Sequence, residues 1–424
     1  MTSPLWAAPF RPDPVDATVS LPGSKSQTNR ALILSALADG PSRLTRPLVS
    51  RDTTLMADAL RALGTGIDGD EDAWTVTPGA WGGRQEPVRI DVGLAGTVMR
   101  FVPPVAALVD GDVEIDGDEY ARQRPMATTI SSLRALGVTI DDAGRGTMPF
   151  TVRGAGHVLG GPITIDASAS SQFLSALLLV GARYDDGIDV RHDGPPVPSA
   201  THVQMTLTEL RRRGVTVTES ADRWVVAPGP VAAYDTTIEP DLSNAGAFVA
   251  GALVTGGRVR VRHWPRDTDQ AGDRWREIAR AFGADVGIDG DDLVVSAPDT
   301  LSGVSLDLRD EGELTPVVAA VAATASGVST LTGIAHLRGH ETDRLAAITA
   351  EITRMGGEVD EHPDGLTIHP RPLHGAELQT YADHRMAHAA AVLGLAVKDV
   401  RVHDVATTAK TYPGFEQDWQ RFAS

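Results

Sequence analysis

The sequence predicts an α/β protein with helices inside, built from six copies of one unit. Six apolar segments rich in small residues recur along the chain, and their first residues lie 71, 73, 74, 71 and 70 residues apart. Amphipathic segments that end in glycine alternate with them, and short β-rich runs lie between the two kinds. A recurrence this regular indicates an internal repeat, which reads strand, buried helix, strand, amphipathic helix, strand.

The buried helices are predicted where apolar residues leave no charged face. They span residues 24–37, 95–109, 168–181, 242–255, 313–326 and 383–395. The amphipathic helices have leucine, isoleucine and methionine at three- and four-residue spacing on one face. They span residues 52–64, 124–137, 199–214, 270–283, 341–356 and 412–423. Strands are predicted between the helices, for example at 113–115, 138–140, 216–217, 224–226, 259–261 and 293–295.

Two lobes with three repeats each are expected, because six units of this size exceed one hydrophobic core. The division falls near Pro240. It places residues 22–240 in the first lobe and residues 1–21 with 241–424 in the second. The strands that precede the first and fourth repeats, 18–22 and 236–241, are the predicted crossings between the lobes. A cleft between lobes is a favoured ligand site.

Composition and charge exclude several classes of function. The chain has 424 residues, of which 42% are hydrophobic and 22% charged, as in a globular rather than a disordered protein. Its net charge of -18 disfavours binding to nucleic acid or to an anionic membrane. The absence of cysteine excludes disulfides, thiolate metal ligands and a cysteine nucleophile. Neither a signal-peptide pattern nor a membrane-spanning apolar run is present, so we expect a cytoplasmic enzyme.

Cationic side chains recur near the starts of the buried helices, where free backbone N–H groups also favour anions. They are Lys25, Arg30, Arg100, Arg122, Arg124, His340, Arg344, His384, Arg385 and Lys410. One such residue alone is usually a solvated surface cation. Their recurrence at equivalent places in the repeats instead predicts a basic pocket for a small polyanion. Thr18 stands where a nucleotide-binding P-loop has its first glycine, which disfavours a nucleotidase.

Seven short motifs, in order along nearly the whole chain, resemble those of the 5-enolpyruvylshikimate-3-phosphate synthase family. They are LPGSKSQTNR at 21–30, AGT at 95–97 with Arg100, RQRP at 122–125, SSQ at 170–172, ETDR at 341–344, DHRM at 383–386 and KTYP at 410–413. The resemblance implies a two-domain inside-out α/β barrel of six repeats, enolpyruvyl transferase-like, that closes around shikimate 3-phosphate and phosphoenolpyruvate.

The resemblance also implies an activity in the shikimate pathway. The enolpyruvyl group of phosphoenolpyruvate would be transferred to the 5-hydroxyl of shikimate 3-phosphate, with release of phosphate, through a tetrahedral addition-elimination intermediate. The family uses no metal and no organic cofactor, so none is expected here. Besides these two small-molecule substrates we expect no nucleic-acid or membrane partner, and we expect a monomer.

Site residues follow from the resemblance position by position. Shikimate 3-phosphate is expected at Lys25, Ser26, Arg30, Ser170, Ser171, Gln172, Ser199, Glu313 and His340. Phosphoenolpyruvate is expected at Lys25, Gly96, Arg124, Gln172, Arg344, His384, Arg385 and Lys410.

The reaction needs one group that protonates the methylene carbon of phosphoenolpyruvate and one that deprotonates the attacking hydroxyl. By resemblance these groups are Glu341 and Glu313, and Lys25, which touches both substrates, is the third catalytic residue. Glu313 matches the family's aspartate by spacing only, and Glu311 lies two residues away, so the choice between them stays open.

Three positions depart from the family's pattern. Leu94 stands where asparagine is common, so an amide contact to phosphoenolpyruvate would be missing. His340 stands where lysine is common, which replaces a permanent cation by one that titrates near neutrality. Weaker binding at high pH is therefore expected. His202 takes the place of a common tyrosine.

Three other functions compete with this interpretation. The related transferase that acts on UDP-N-acetylglucosamine usually has a reactive cysteine and a Lys-Asn pair, whereas this chain has no cysteine and reads Lys25-Ser26. A non-catalytic protein that binds phosphorylated metabolites would need the cations but neither Glu341 nor Glu313. An RNA-end-processing enzyme of related repeat architecture conflicts with the negative net charge.

Overall fold

The computed structural model describes residues 5–79, 81 and 86–424. Contacts within the chain divide it into two units. The inserted unit is Gly23–Glu239, and the terminal unit combines Met1–Pro22 with Pro240–Ser424. Within the described residues, three sheets lie in each unit.

Twenty-three strands lie in this part of the chain. They are β1 (Leu5–Ala7), β2 (Asp16–Val19), β3 (Ser42–Thr45), β4 (Gly66–Gly69), β5 (Ala73–Thr77), β6 (Val88–Asp91), β7 (Asp110–Asp116), β8 (Thr139–Asp141), β9 (Phe150–Ala155), β10 (Gly161–Ile165), β11 (Ile188–His192), β12 (Val217–Ser220), β13 (Arg223–Val226), β14 (Thr236–Thr237), β15 (Arg258–Val261), β16 (Asp285–Asp289), β17 (Asp292–Ser296), β18 (Ser305–Asp307), β19 (Ser329–Thr332), β20 (Glu358–His362), β21 (Gly365–His369), β22 (Glu377–Leu378) and β23 (Arg401–His403).

Thirteen α-helices alternate with the strands over the same described residues. They are α1 (Lys25–Ala36), α2 (Arg51–Ala62), α3 (Gly96–Ala106), α4 (Glu119–Arg122), α5 (Ala127–Ala135), α6 (Ser171–Gly181), α7 (Ala200–Arg212), α8 (Leu242–Thr255), α9 (Trp275–Ala281), α10 (Thr315–Ala322), α11 (Arg344–Arg354), α12 (His384–Ala396) and α13 (Phe415–Ala423). Short 3₁₀ helices are Ala271–Arg274, Gly312–Leu314, Ala335–Gly339 and Val405–Lys410.

The four-stranded sheets share one strand order. In the sheet β6-β7-β9-β8, β6 and β7 pair in parallel, and the buried helix α3 lies between them along the chain. β7 also pairs antiparallel with β9 of the following hairpin. The sheets β10-β11-β13-β12 and β18-β19-β21-β20 repeat this order. A parallel pair needs a crossover, and the buried helix supplies it in each of these three sheets.

Strands distant in sequence complete the first sheet of each unit. β14 pairs in parallel with β3, so residues just after the third repeat supply the missing strand of the first. β2 pairs in parallel with β15 and does the same for the fourth repeat. The N-terminal β1 pairs antiparallel with β23 and widens the last sheet, β1-β23-β22.

Three buried helices pack on one another in each unit. In the inserted unit they are α1, α3 and α6, and in the terminal unit α8, α10 and α12. Every residue of α8 from 242 to 253 is buried. A small residue also lets α9 approach α8, since a β-carbon at Gly246 would lie 2.2 Å from the indole nitrogen of Trp275. Each unit has its own hydrophobic core as a result.

The predicted helices and strands are confirmed with shifts at their ends. The helix predicted from residue 313 begins at Thr315, and the one predicted from residue 270 begins at Trp275, each after a 3₁₀ turn. The strand predicted at 236–241 is only the two-residue β14, because Pro240 lacks an N–H group and Asp241 already caps α8. No helix in the described part of the chain is long and apolar enough to cross a bilayer.

Gly154 in β9 is a position where the fold leaves no room for a side chain. A β-carbon there would lie 1.9 Å from the carbonyl oxygen of Val109, whereas one at Gly287 in β16 would meet nothing within 4 Å. We expect Gly154→Ala to lower the free energy of unfolding by about 2 kcal/mol through overpacking, measured by urea denaturation. The matched control Gly287→Ala is expected to be neutral or slightly stabilising. Equal losses in both variants would contradict the packing argument.

Candidate active site

Lys25 opens the first buried helix of the inserted unit. Ser24 caps α1, and its hydroxyl accepts a hydrogen bond from the backbone N–H of Gln27. The Lys25 ammonium lies 3.3 Å from Oδ2 of the buried Asp52, near the start of α2. The lysine side chain is still 18% exposed, so its charge is both held by Asp52 and accessible to an anion.

Arg30 joins α1 to α7 inside the inserted unit. Its Nε donates to the Thr206 hydroxyl at 2.8 Å, and its Nη2 donates to the carbonyl of His202 at 3.0 Å. The guanidinium is buried and also lies 5.3 Å from the ring centre of Phe101. These contacts fix its orientation, so the sequence-predicted substrate contact at Arg30 would be made by a rigid group.

Gly96, Arg124 and Gln172 come together where α3 and α6 begin. A β-carbon at Gly96 would lie 3.2 Å from atoms of Arg100, Arg124 and Gln172. Arg100 Nη1 donates to the side-chain oxygen of Gln172 at 2.9 Å, and Arg124 Nη1 donates to the carbonyl of Leu94 at 3.3 Å. Burial lowers the pKa of Arg100, and the nearby charge of Arg124 lowers it further. Two close guanidinium groups beside a glycine favour binding of an anion.

Ser170, Ser171 and Ser199 lie at the starts of two more helices of the inserted unit. The Ser170 hydroxyl accepts from the backbone N–H of Gln172 at 3.3 Å, and Ser171 is the buried first residue of α6. Ser199 precedes α7 in a left-handed backbone conformation, with φ of 56°. Its hydroxyl makes no capping bond to α7. A non-glycine residue in this conformation is strained, and such strain is concentrated at functional sites.

Glu341 is the centre of a buried ion-pair group in the terminal unit. Its Oε1 lies 2.7 Å from the Lys410 ammonium, and its Oε2 lies 3.2 Å from Nδ1 of His384. Burial raises the pKa of the Glu341 carboxyl, but Lys410, His384 and Arg344 together outweigh it and hold that pKa well below its usual value. Glu341 is therefore a carboxylate in this structure.

Asp383 orients two predicted arginines. Both of its oxygens accept from Arg344, from Nε at 2.8 Å and from Nη2 at 3.1 Å, and Oδ1 also caps the backbone N–H of Arg385. Burial lowers the pKa of Arg344, but Asp383 and neighbouring carboxylates outweigh this and raise it. A paired arginine this deeply buried keeps its charge and its direction.

Glu313 and Glu311 lie in different environments around the 3₁₀ turn before α10. Glu313 accepts from the Ser243 hydroxyl at 2.8 Å and interacts electrostatically with Arg344 and His336. Burial, aided by neighbouring acidic groups and opposed by Arg274, raises the pKa of Glu311 to about 7. Glu313 is therefore the one grouped with the predicted arginine.

His340 packs edge-on against His336, with ring centres 5.5 Å apart. Burial and the charge of Arg344 lower the pKa of His336 to about 4, so its ring is neutral at physiological pH. Any charge that His340 carries is therefore not opposed by its neighbouring ring.

Glu341, Asp383 and His384 place three possible metal ligands within 4.8 Å of one another. Both carboxylates already face buried cations, Lys410 and Arg344. A divalent ion would have to displace those cations, so the group is typical of an ion-pair network rather than of a metal site.

Comparison with known proteins identifies the family. The family model EPSP synthase (3-phosphoshikimate 1-carboxyvinyltransferase) matches residues 10–419. The chain belongs to the EPSP synthase family. A 3-phosphoshikimate 1-carboxyvinyltransferase from Kocuria rhizophila is 54% identical over 98% of this chain and 96% of the relative. The resemblance read from the seven motifs is thus confirmed.

Two solved structures have the same fold. An EPSP synthase from Acinetobacter baumannii has a TM-score of 0.81 and 24% identity, covering 98% of each chain. The enolpyruvyl transferase NikO from Streptomyces tendae has a TM-score of 0.75 and 17% identity, covering 100% of this chain and 98% of its own. The predicted enolpyruvyl transferase-like α/β fold is confirmed.

Several residues that hold the site were not assigned from the sequence. Asp52, Asp383, Ser243 and Asn244 each bond a predicted site residue. Asp383 stood in a recognised motif, and its place directly before a buried helix was a usable signal. No sequence signal marked Asp52, Ser243 and Asn244. Their partners lie 27, 70 and 141 residues away along the chain.

Removing the charge of Asp383 tests the buried pair. Asp383→Asn keeps the cap on Arg385 but removes the carboxylate that pairs directly with the buried Arg344. We expect the free energy of unfolding, measured in urea, to fall by about 3 kcal/mol. The control Asp58→Asn breaks the exposed pair with Arg61 and is expected to cost less than about 0.5 kcal/mol. A loss below about 1 kcal/mol at Asp383 would show that Arg344 does not depend on it.

Proposed function

We propose that this protein transfers the enolpyruvyl group of phosphoenolpyruvate to the 5-hydroxyl of shikimate 3-phosphate and releases phosphate. The observation that carries the proposal is the buried Glu341 carboxylate bonded to Lys410 and His384 in a chain of the EPSP synthase family. Such a group supplies a proton-transferring carboxyl beside cations that suit a substrate phosphate or carboxylate.

The substrate contacts are proposed from family membership together with the local geometry. Shikimate 3-phosphate would bind Lys25, Ser26, Arg30, Ser170, Ser171, Gln172, Ser199, Glu313 and His340. Phosphoenolpyruvate would bind Lys25, Gly96, Arg124, Gln172, Arg344, His384, Arg385 and Lys410. Leu94 lacks the amide that the family often has, but its backbone carbonyl holds Arg124, which covers the missing contact.

The reaction then proceeds in two steps with balanced proton transfers. In the addition, the 5-hydroxyl oxygen bonds to C2 of phosphoenolpyruvate, its proton passes to Glu313, and C3 gains a proton from Glu341. In the elimination, the C2–O bond to phosphate breaks, C3 returns a proton to Glu341, and Glu313 passes the former hydroxyl proton to the leaving phosphate. Lys25 and the arginines balance the charge of the tetrahedral intermediate and of the leaving phosphate.

Glu341 must gain a proton before it can donate one. In the structure Lys410 and His384 hold it as a carboxylate. Phosphoenolpyruvate is a polyanion, and its binding to Lys410 and Arg344 would weaken their attraction for Glu341. The pKa of Glu341 would then rise towards the value that its burial favours. Substrate binding thus prepares the proton donor.

His340 is proposed to bind shikimate 3-phosphate as a cation, so affinity would fall as pH rises above neutrality. Division of the chain into lobes of three repeats that close on the substrates, a monomeric state, the absence of a cofactor and a cytoplasmic location also stay predictions.

Phosphate release tests the proposed reaction directly. We expect inorganic phosphate to appear only when phosphoenolpyruvate and shikimate 3-phosphate are both present, together with a product of their combined mass less phosphate. Phosphate release with UDP-N-acetylglucosamine in place of shikimate 3-phosphate would assign the related transferase instead. Binding of both substrates without any phosphate would assign a non-catalytic binding protein.

Glu341→Gln separates chemistry from binding. The amide cannot transfer the proton, so kcat is expected to fall at least about 100-fold. KM for phosphoenolpyruvate should stay level or fall, because Lys410 and His384 lose a competing carboxylate. Steady-state kinetics measures both constants. The control Glu358→Gln, on an exposed strand, should stay within about twofold of the wild type, and a loss under about threefold at Glu341 would move the donor elsewhere.

The two candidate bases are distinguished by a pair of variants. Glu313→Gln is expected to lower kcat by about 100-fold or more, and Glu311→Gln by less than about threefold. A base must be ionised, and Glu311, with its pKa of about 7, would give a rate that rises with pH through about 7. If Glu311→Gln lowers kcat more than Glu313→Gln does, and the wild-type rate rises with pH through about 7, the base is Glu311.

A further inference from the structure

We propose that Ser243 and Asn244, in the first turn of α8, are positioning residues for the groups that bind phosphoenolpyruvate and deprotonate the attacking hydroxyl. Both residues belong to the fourth repeat, while the groups they hold belong to the fifth and sixth. The inference rests on the proposed function, and it concerns residues outside the seven motifs.

Asn244 connects two predicted phosphoenolpyruvate groups. Its side chain is fully buried, and Oδ1 accepts from Nη1 of Arg385 at 3.1 Å. Nδ2 donates to the backbone carbonyl of Thr411 at 3.1 Å, and the Thr411 hydroxyl lies 3.4 Å from Oδ1. Thr411 directly follows Lys410, so one amide fixes both the guanidinium of Arg385 and the backbone that carries the Lys410 ammonium.

Ser243 holds the proposed base. Its hydroxyl donates to Oε1 of Glu313 at 2.8 Å. A hydroxyl in this place fixes the direction of one carboxylate oxygen of the proposed base. Ser243 therefore affects the chemical step, whereas Asn244 affects the binding of one substrate.

The turn that carries both residues is itself held rigidly. Asp241 caps it by accepting from the backbone N–H of Asn244 at 2.9 Å. Gln270 bonds both sides of the turn, accepting from the N–H of Leu242 and donating to the carbonyl of Pro240. Gly272 packs directly on the same backbone, where a β-carbon would lie 2.2 Å from the carbonyl carbon of Leu242. A fixed turn can orient the side chains that it bonds to within a narrow range.

The equivalent turn of the inserted unit is arranged differently. Counting from the cap, Ser24 corresponds to Asp241, Ser26 to Ser243 and Gln27 to Asn244. The Gln27 side-chain oxygen accepts from the backbone N–H of Glu239 rather than from a predicted site residue. The bridging role of Asn244 is thus specific to the terminal unit and is not a general feature of the repeat.

The test is a comparison of two variants in the full-length protein by steady-state kinetics. Asn244→Ala removes the acceptor of Arg385 and the donor to Thr411, so KM for phosphoenolpyruvate should rise at least about tenfold, with KM for shikimate 3-phosphate changed less than threefold. Ser243→Ala should lower kcat at least about tenfold with little change in either KM. Ser243→Thr keeps the hydroxyl and should restore most of kcat.

A control separates positioning from simple loss of stability. Ser329 is fully buried in β19 and accepts from the backbone N–H of Val304, so Ser329→Ala loses a buried hydrogen bond away from these groups. It should lower the melting temperature without moving either KM more than twofold.

Two outcomes would overturn the proposal. One is an Asn244→Ala variant whose two KM values rise together or not at all, and the other is equal kinetic loss in Ser243→Ala and Ser243→Thr. Failure of the proposed function itself would be seen separately, because the wild-type protein would then release no phosphate from the two substrates.

Discussion

The pairing of Glu341 with the buried Lys410 and His384 is the interaction on which the proposed chemistry of the terminal unit depends. Burying three ionisable side chains is costly unless each meets an opposite charge or a hydrogen bond, and here each does. A few ångströms away, Asp383 supplies the opposite charge for the buried Arg344. Lys410 and His384 therefore stay in place without substrate, because Glu341 holds them. A bound polyanion could then replace Glu341 as their partner.

Close approach to the start of α8 accompanies that network. Gly246 and Gly272 let Trp275 and the turn before α9 pack on α8, whose first turn also bonds Arg385 of α12 through Asn244 and Glu313 before α10 through Ser243. In the inserted unit the lack of a β-carbon at Gly96 lets Arg100, Arg124 and Gln172 come close to one another. Small residues at helix starts thus have two effects, since they allow close packing and leave backbone N–H groups available to anions.

Much of this was predictable from sequence, and the rest was not for identifiable reasons. The repeat and its helices follow from apolar periodicity, which can be read from the sequence without knowing the tertiary contacts. The ends were less certain where tertiary contacts decide them, as at Trp275 and Thr315. Motifs located the charged residues of the site but not their partners. Asn244 bonds a residue 141 positions away, and periodicity carries no information about such a pair.

Glu341, the proposed acid, and Glu313, the proposed base, have different electrostatic surroundings. A carboxyl surrounded by Lys410, His384 and Arg344 is a poor acid alone, because every neighbour favours its anion. Glu313 is held instead by the neutral Ser243 hydroxyl, with Arg344 among its charged neighbours. In the proposed reaction, the proton donor is therefore the group whose protonation has to be changed by the phosphoenolpyruvate that it protonates, because only the loss of its cationic partners lets its burial raise the pKa.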